Sequence, residues 1–176
     1  RGLGDVYKRQ HHAGACDYYL QDLEDTIQKL GPENIAALVA EPINGSSGGA
    51  ITPPEGYWQA AHKILQRHGI LLVMDEVMTG FGRTGVAFGS QLYDVEPDLM
   101  VAGKGLAGGY AAIAGVFGRE DIANAISESG FNVMFHTFGA LPQSCAAATA
   151  VLKILREENL VQRAGVIGQK TLERLK

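Results

Sequence analysis

Two short, wholly apolar runs constrain this chain more than any other feature. Gly69-Ile70-Leu71-Leu72-Val73-Met74 closes on Asp75, and Leu99-Met100-Val101-Ala102 leads through Gly103 to Lys104, 29 residues beyond Asp75. An apolar run of this length, without alternation, reads as a strand buried on both faces, the habit of parallel sheets. In open α/β sheets, ligands gather outside the carboxyl ends of the strands. A carboxylate and an amine are therefore expected to face the same crevice.

The remaining segments alternate in the way such a sheet requires. Leu20, Leu23, Ile27 and Leu30 recur at helical spacing until Gly31-Pro32 stops them. Ile35 to Ala40 is a strand-like run that ends at Glu41-Pro42, and 44–49 is a turn-rich loop. Trp58, Ala61, Ile64 and Leu65 mark a second helix, ended by His68-Gly69. Residues 80–96 form a long, glycine-punctuated loop, a length that is usually functional. A fourth strand is expected over Ala112–Phe117, and helices over Ile122–Ser127, Pro142–Glu157 and Leu160–Lys176. Strands alternating with helices predict an α/β fold with a doubly wound, mostly parallel sheet.

Composition excludes several classes. The 176 residues are 46% hydrophobic and 19% charged, ordinary for a globular domain. A formal net charge of −4, with no Lys/Arg block, gives no electrostatic case for nucleic acid. No apolar run approaches the roughly 18 residues of a membrane span. Two cysteines, Cys16 and Cys145, make no disulfide framework, and no Cys/His spacing suggests zinc or another metal. A cytoplasmic setting is the expectation. Residues 1–10, Arg-Gly-Leu-Gly-Asp-Val-Tyr-Lys-Arg-Gln, resemble a translated sequencing adapter and are expected to be foreign, leaving 11–176 as the native domain.

A lysine at the end of an apolar strand, flanked by Gly103 and Gly105, is expected to sit in a low-dielectric surround, where desolvation frees the amine as nucleophile and base. A carboxylate such as Asp75, placed to face a protonated ring nitrogen, completes the minimum equipment of a pyridoxal phosphate (PLP) enzyme. Glu76 is the local competitor, but side chains alternate at a strand end. The surrounding blocks make the reading specific. Asp75-Glu76-Val77-Met78-Thr79-Gly80-Phe81-Gly82-Arg83-Thr84-Gly85, Pro97-Asp98 before the Lys104 strand, Gly108-Gly109-Tyr110, Glu41-Pro42-Ile43-Asn44-Gly45-Ser46-Ser47-Gly48-Gly49 and His136-Thr137-Phe138-Gly139 come in the order and at the spacing seen in class III aminotransferases. The chain resembles that family, PLP enzymes of fold type I, over roughly residues 18–176.

The resemblance implies that Lys104 carries the cofactor as a Schiff base and relays protons, and that Asp75 holds the ring nitrogen. It implies that Val77 packs on the ring and that Thr137 binds the phosphate of a neighbouring subunit's cofactor, hence a homodimer. It implies transfer of an amino group from an amine or an ω- or α-amino acid to an oxo acid such as pyruvate. Ser46 stands where ornithine- and GABA-type members carry a glutamate, which argues against those substrates. Met78, with Gly103 before the lysine, also suits a glutamate-1-semialdehyde type aminomutase, and a lyase on the same scaffold is a further alternative. A nucleotide-binding or purely structural α/β module is the non-enzyme alternative, weakened by the lack of a phosphate-loop motif after any strand. Family members are much longer, so the resemblance implies a central piece of the PLP-binding large domain.

Overall fold

The computed structural model describes residues 13–45, 48–130 and 136–176. Residues 1–10 and Ser46 lie outside that set.

Helix α1, Ala15–Leu30, turns Leu20, Leu23 and Ile27 to one side and stops at Gly31, whose φ of 80° an L side chain adopts at a cost. Strand β1 covers Ala37–Ala40, helix α2 Tyr57–Arg67 and strand β2 Leu71–Asp75. On α2 the buried residues are Trp58, Ala61, Ile64 and Leu65, one helical face, and they meet Leu72 and Met74 of β2 together with Ile27. Burying side chains of this size contributes about 1.5–3 kcal/mol each. The cluster also takes in Leu38 and Ala40 of β1, the alternate residues of that strand. Val39, on the opposite face, is 64% exposed. Across the two helices, Glu24 meets His68 at 2.7 Å and Arg67 at 2.9 Å. The hydrogen bond with His68, helped by the Arg67 charge, holds the Glu24 carboxyl below the usual carboxylate range.

Strand β3 is Leu99–Ala102 and β4 is Gly115–Gly118. The sheet order is β1-β2-β3-β4. The first three strands are parallel, with Val39, Val73 and Leu99 in register, and β4 is antiparallel to β3. The sheet is therefore mostly parallel, as expected, but the fourth strand is shorter and starts later than the Ala112–Phe117 run. A parallel return would need a crossover, usually through a helix. Between β3 and β4 the chain has only the 3₁₀ turn Lys104–Leu106.

Asp98 fastens the start of β3. Its Oδ2 accepts the Leu72 N–H at 2.7 Å, and its other oxygen takes the Arg119 guanidinium from just past β4. One buried carboxylate thus ties three strands at the end away from Asp75. The long loop after β2 is not structureless, since Gly89–Tyr93 forms a 3₁₀ turn. Helices α3 (Glu120–Glu128), α4 (Pro142–Glu157) and α5 (Leu160–Leu175) complete the chain. Among the described residues, no helix is long and apolar enough to cross a membrane.

Candidate active site

The carboxyl ends of β2 and β3 form one rim. Asp75 pairs with Val101 in the parallel register, and the next N–H, from Glu76, donates to the Val101 carbonyl at 2.8 Å. Three residues past Val101 comes Lys104. Strand alternation sends Leu72, Met74 and Glu76 to the helix-covered face and Asp75 to the other. Burial agrees: Glu76 is 0% exposed, whereas Asp75 is half-buried.

The two acids are held differently. Glu76 has both oxygens occupied. Thr79 Oγ1 at 2.5 Å and the Gly89 N–H at 2.7 Å donate to Oε2, and the Ser90 N–H at 2.7 Å donates to Oε1. Asp75 accepts a single bond, from the Val77 N–H to Oδ1 at 2.9 Å, an Asx turn that fixes its rotamer. Its second oxygen has no bonded partner among the described residues. The geometry thus separates a saturated structural carboxylate from one with an acceptor to offer.

Lys104 has φ +37°, a left-handed conformation uncommon outside glycine. Gly103 before it is extended and buried, and a Cβ there would stand 3.6 Å from Val77 Cγ2, so Val77 packs beside the lysine's own backbone. A Cβ on Gly105 would come within 3.0 Å of Phe81 Cβ. The turn closes with the Leu106 N–H on the Gly103 carbonyl at 2.9 Å. The expectation of a low-dielectric surround needs correction, because Lys104 is exposed. It lies beyond the strand, on a turn that this chain does not roof. Its amine has no ion-pair partner among the described residues.

Thr137 lies on a different segment, shortly before α4. It is exposed in the turn 137–140, and no hydrogen bond joins it to Asp75 or Lys104 among the described residues. Its neighbour Phe138 is 76% exposed, and Ala140 has φ +53°. At the end of β1, Glu41 Oε2 accepts the Gly45 N–H at 2.7 Å, and the Pro42 carbonyl accepts the Trp58 indole N–H at 3.0 Å. A Cβ on Gly45 would meet Met78 Cγ at 2.7 Å, so the β1 and β2 loops touch at a glycine. Sequence reasoning missed the parts of Glu76 and Asp98 as fasteners. For Glu76 the signal was present, since it continues the alternation of Leu72 and Met74 into the rim.

A mostly parallel α/β sheet with an unsaturated carboxylate and an unpaired lysine at neighbouring strand ends is the architecture of the PLP-dependent transferases. The chain belongs to the class III aminotransferase family, whose model matches residues 4–176. It is 43% identical over 143 residues to a putrescine–pyruvate aminotransferase of Pseudomonas aeruginosa, covering 81% of this chain and 31% of that protein. It is 45% identical over 145 residues to an alanine/serine racemase of Pyrococcus horikoshii, covering 82% of this chain and 29% of the relative. The crystal structure of an amine transaminase from an uncultivated Pseudomonas species, in its PLP-bound form, superposes with a TM-score of 0.88 at 40% identity, covering 92% of this chain and 37% of that one. The chain spans about a third of the length of the curated relatives it matches.

The residues present suit that cofactor. A half-buried carboxylate with a free oxygen matches a ring N–H, and an accessible amine matches an aldehyde. Val77, two residues from Asp75, packs beside Gly103.

Proposed function

We propose that the protein carrying this chain is a PLP-dependent transaminase, which moves an amino group from an amine or an ω- or α-amino acid to an oxo acid such as pyruvate. The observation that carries the reading is the rim itself: Asp75 at the end of β2 with one oxygen unpaired and Lys104 just past the end of β3 with no ion-pair partner, both among the described residues, on strands paired through Asp75 and Val101. Putrescine and pyruvate are the named substrates of one 43% identical relative, and they guide the choice of donor and acceptor.

When bound, PLP supplies an electron sink that weakens a Cα–H bond of the substrate. The chain's residues do the rest. The Asp75 carboxylate accepts the ring N–H and keeps that nitrogen protonated, with the Val77 N–H holding the carboxylate in place. Val77 covers one face of the ring. Lys104 holds the cofactor covalently. Freed by the incoming amine, it would move a proton between the substrate α-carbon and the cofactor's C4′, the shift that amino transfer requires. Thr137, exposed in its turn, would donate its hydroxyl to the phosphate bound by a second subunit, so the working form is a homodimer in the cytoplasm.

Borohydride reduction in the presence of PLP, followed by peptide mapping, should mark Lys104. A mark on Lys63 or Lys153 instead would sink the assignment. A second reading, racemisation, is favoured by the 45% identical racemase. Both begin with removal of the α-proton and differ in where it is returned, to the cofactor or to the α-carbon, since fold does not fix the reaction. Consumption of pyruvate with release of an oxo product from the donor supports transamination. Inversion of alanine without net oxo acid supports racemisation.

A further inference from the structure

Glu76 is fully buried, yet the chemistry above makes no use of it. A buried carboxylate is costly unless its lone pairs are filled. Here they are filled by both ends of one loop. Thr79 comes from its start, through Oγ1 on Oε2, and beside it the Gly80 N–H closes a turn on the Glu76 main-chain carbonyl at 2.7 Å. Gly89 and Ser90 come from its end, through their backbone N–H groups. The fit is close: a Cβ on Gly89 would stand 2.7 Å from Thr79 Cβ and 3.2 Å from Glu76 Oε2.

The loop so pinned carries Phe81, which has φ +59° and stacks edge-on against Phe88 with ring centroids 5.4 Å apart. Phe81 and the Gly80 carbonyl back onto Gly105, where an added Cβ would come within 3.0 Å and 3.4 Å of them. Gly105 follows Lys104, whose own φ is +37°. Two non-glycine residues in the left-handed region thus flank Gly105, Phe81 packed against it and Lys104 bonded to it. Such conformers persist only where the surroundings over-determine them.

We infer that Glu76 is a positioning residue for Lys104: by clamping the loop from Thr79 to Ser90, it holds Phe81 against Gly105 and keeps the lysine's backbone left-handed, which aims the amine over the rim. The inference rests on Lys104 being the cofactor-bearing lysine. In Glu76→Gln, the amide turns one acceptor into a donor that confronts an N–H or O–H of the clamp. One anchor is lost, while volume is kept.

The test uses the protein carrying this chain, pulsed with PLP and borohydride, with the adduct on Lys104 measured against Lys63 and Lys153 in the same digest. Trapping on Lys104 in the unmodified protein checks the functional reading on its own. In Glu76→Gln, the Lys104 ratio should fall by about tenfold, the scale of one strained conformer, and amide exchange should rise at 80–82 and 104–106. Asp98→Asn is the matched control, a buried carboxylate that fastens the far end of the sheet. It should lower the melting temperature and leave the ratio unchanged. Should Glu76→Gln fail to fold, Thr79→Val removes a single donor and should give a smaller fall of the same kind. A ratio within twofold of the unmodified protein in the folded Glu76 variant, or in Thr79→Val if that is the one that folds, would overturn the inference. So would an equal fall in Asp98→Asn.

Discussion

In the first half of the chain, Ile27, Trp58, Leu65, Leu72 and Met74 face one another and are almost wholly shielded. In the second half, α3 and α5 bury no residue at all, and Phe117, Phe138, Leu152, Ile154, Ile167 and Leu172 are all substantially exposed. The sequence of the second half is no less apolar along its helices. What differs is the availability of a facing surface. α1 and α2 find β1 and β2, while α4 and α5 find chiefly each other and the turn after Lys104. A helix stripe stabilises only when something covers it. The rim lies where the closed half ends: Asp75 inherits a fixed position from the core, and Lys104 stands on the margin.

If that division is right, the largest effect of a single change should fall on the residue the closed half presents. Asp75→Asn keeps the shape but cannot stabilise a protonated ring nitrogen. Under the proposed function it should lower kcat/KM on the order of 10³-fold or more, measured in an amino-transfer assay of the protein carrying this chain. A loss below about tenfold would deny Asp75 its role. Next, Leu72→Ala removes a side chain with no exposed surface from the main core. It should cost about 2–5 kcal/mol in urea denaturation. A cost under about 1 kcal/mol would mean that the stability resides elsewhere. Gly85→Ala places a Cβ 2.8 Å from the Gly165 Cα at a φ of +84°. Strain and overlap together should cost about 1–3 kcal/mol. Ile167→Ala, on a residue 50% exposed in α5, should lie within about 0.5 kcal/mol of no effect. A cost equal to that of Leu72→Ala would break the comparison, for it would show α5 covered in solution.

The smallest expected change is Glu24→Gln, at a few tenths of a kcal/mol. Because the folded carboxyl titrates below its unfolded value, its contribution is present at neutral pH and fades as the pH falls through the folded pKa. The difference between variant and unmodified protein should therefore vanish in acid thermal melts.

Local pattern carried most of the architecture. The Pro142–Glu157 helix and the Leu99–Ala102 strand match the expected bounds, and β2 begins two residues inside the Gly69–Met74 run and takes in Asp75. α1 begins at Ala15, ahead of Leu20 where its apolar spacing starts, because the first turn needs no apolar residue to form. The reversal of β4 was not legible, since direction depends on how the chain returns and not on the strand's own residues. At the rim, alternation correctly separated Asp75 from Glu76. It could not show that Glu76 gathers Thr79, Gly89 and Ser90, because two of those donors are backbone groups that any residue would offer. Nor could it show that Lys104 is exposed, since what roofs a strand end comes from distant chain.

A helix that buries no residue would ordinarily be the first segment to trim. Yet the Gly82–Gly85 bend lies directly on α5, where added Cβ atoms would come within 2.9 Å of Val161 Cγ2 and 2.8 Å of the Gly165 Cα. At Gly85 main chain rests on main chain, and at Gly82 it rests on the Val161 side chain. The helix is thus the floor beneath the segment whose Phe81 supports Gly105. Shortening the protein to end before Val161 would remove exposed surface by every measure of accessibility, and would also take the footing from under the lysine.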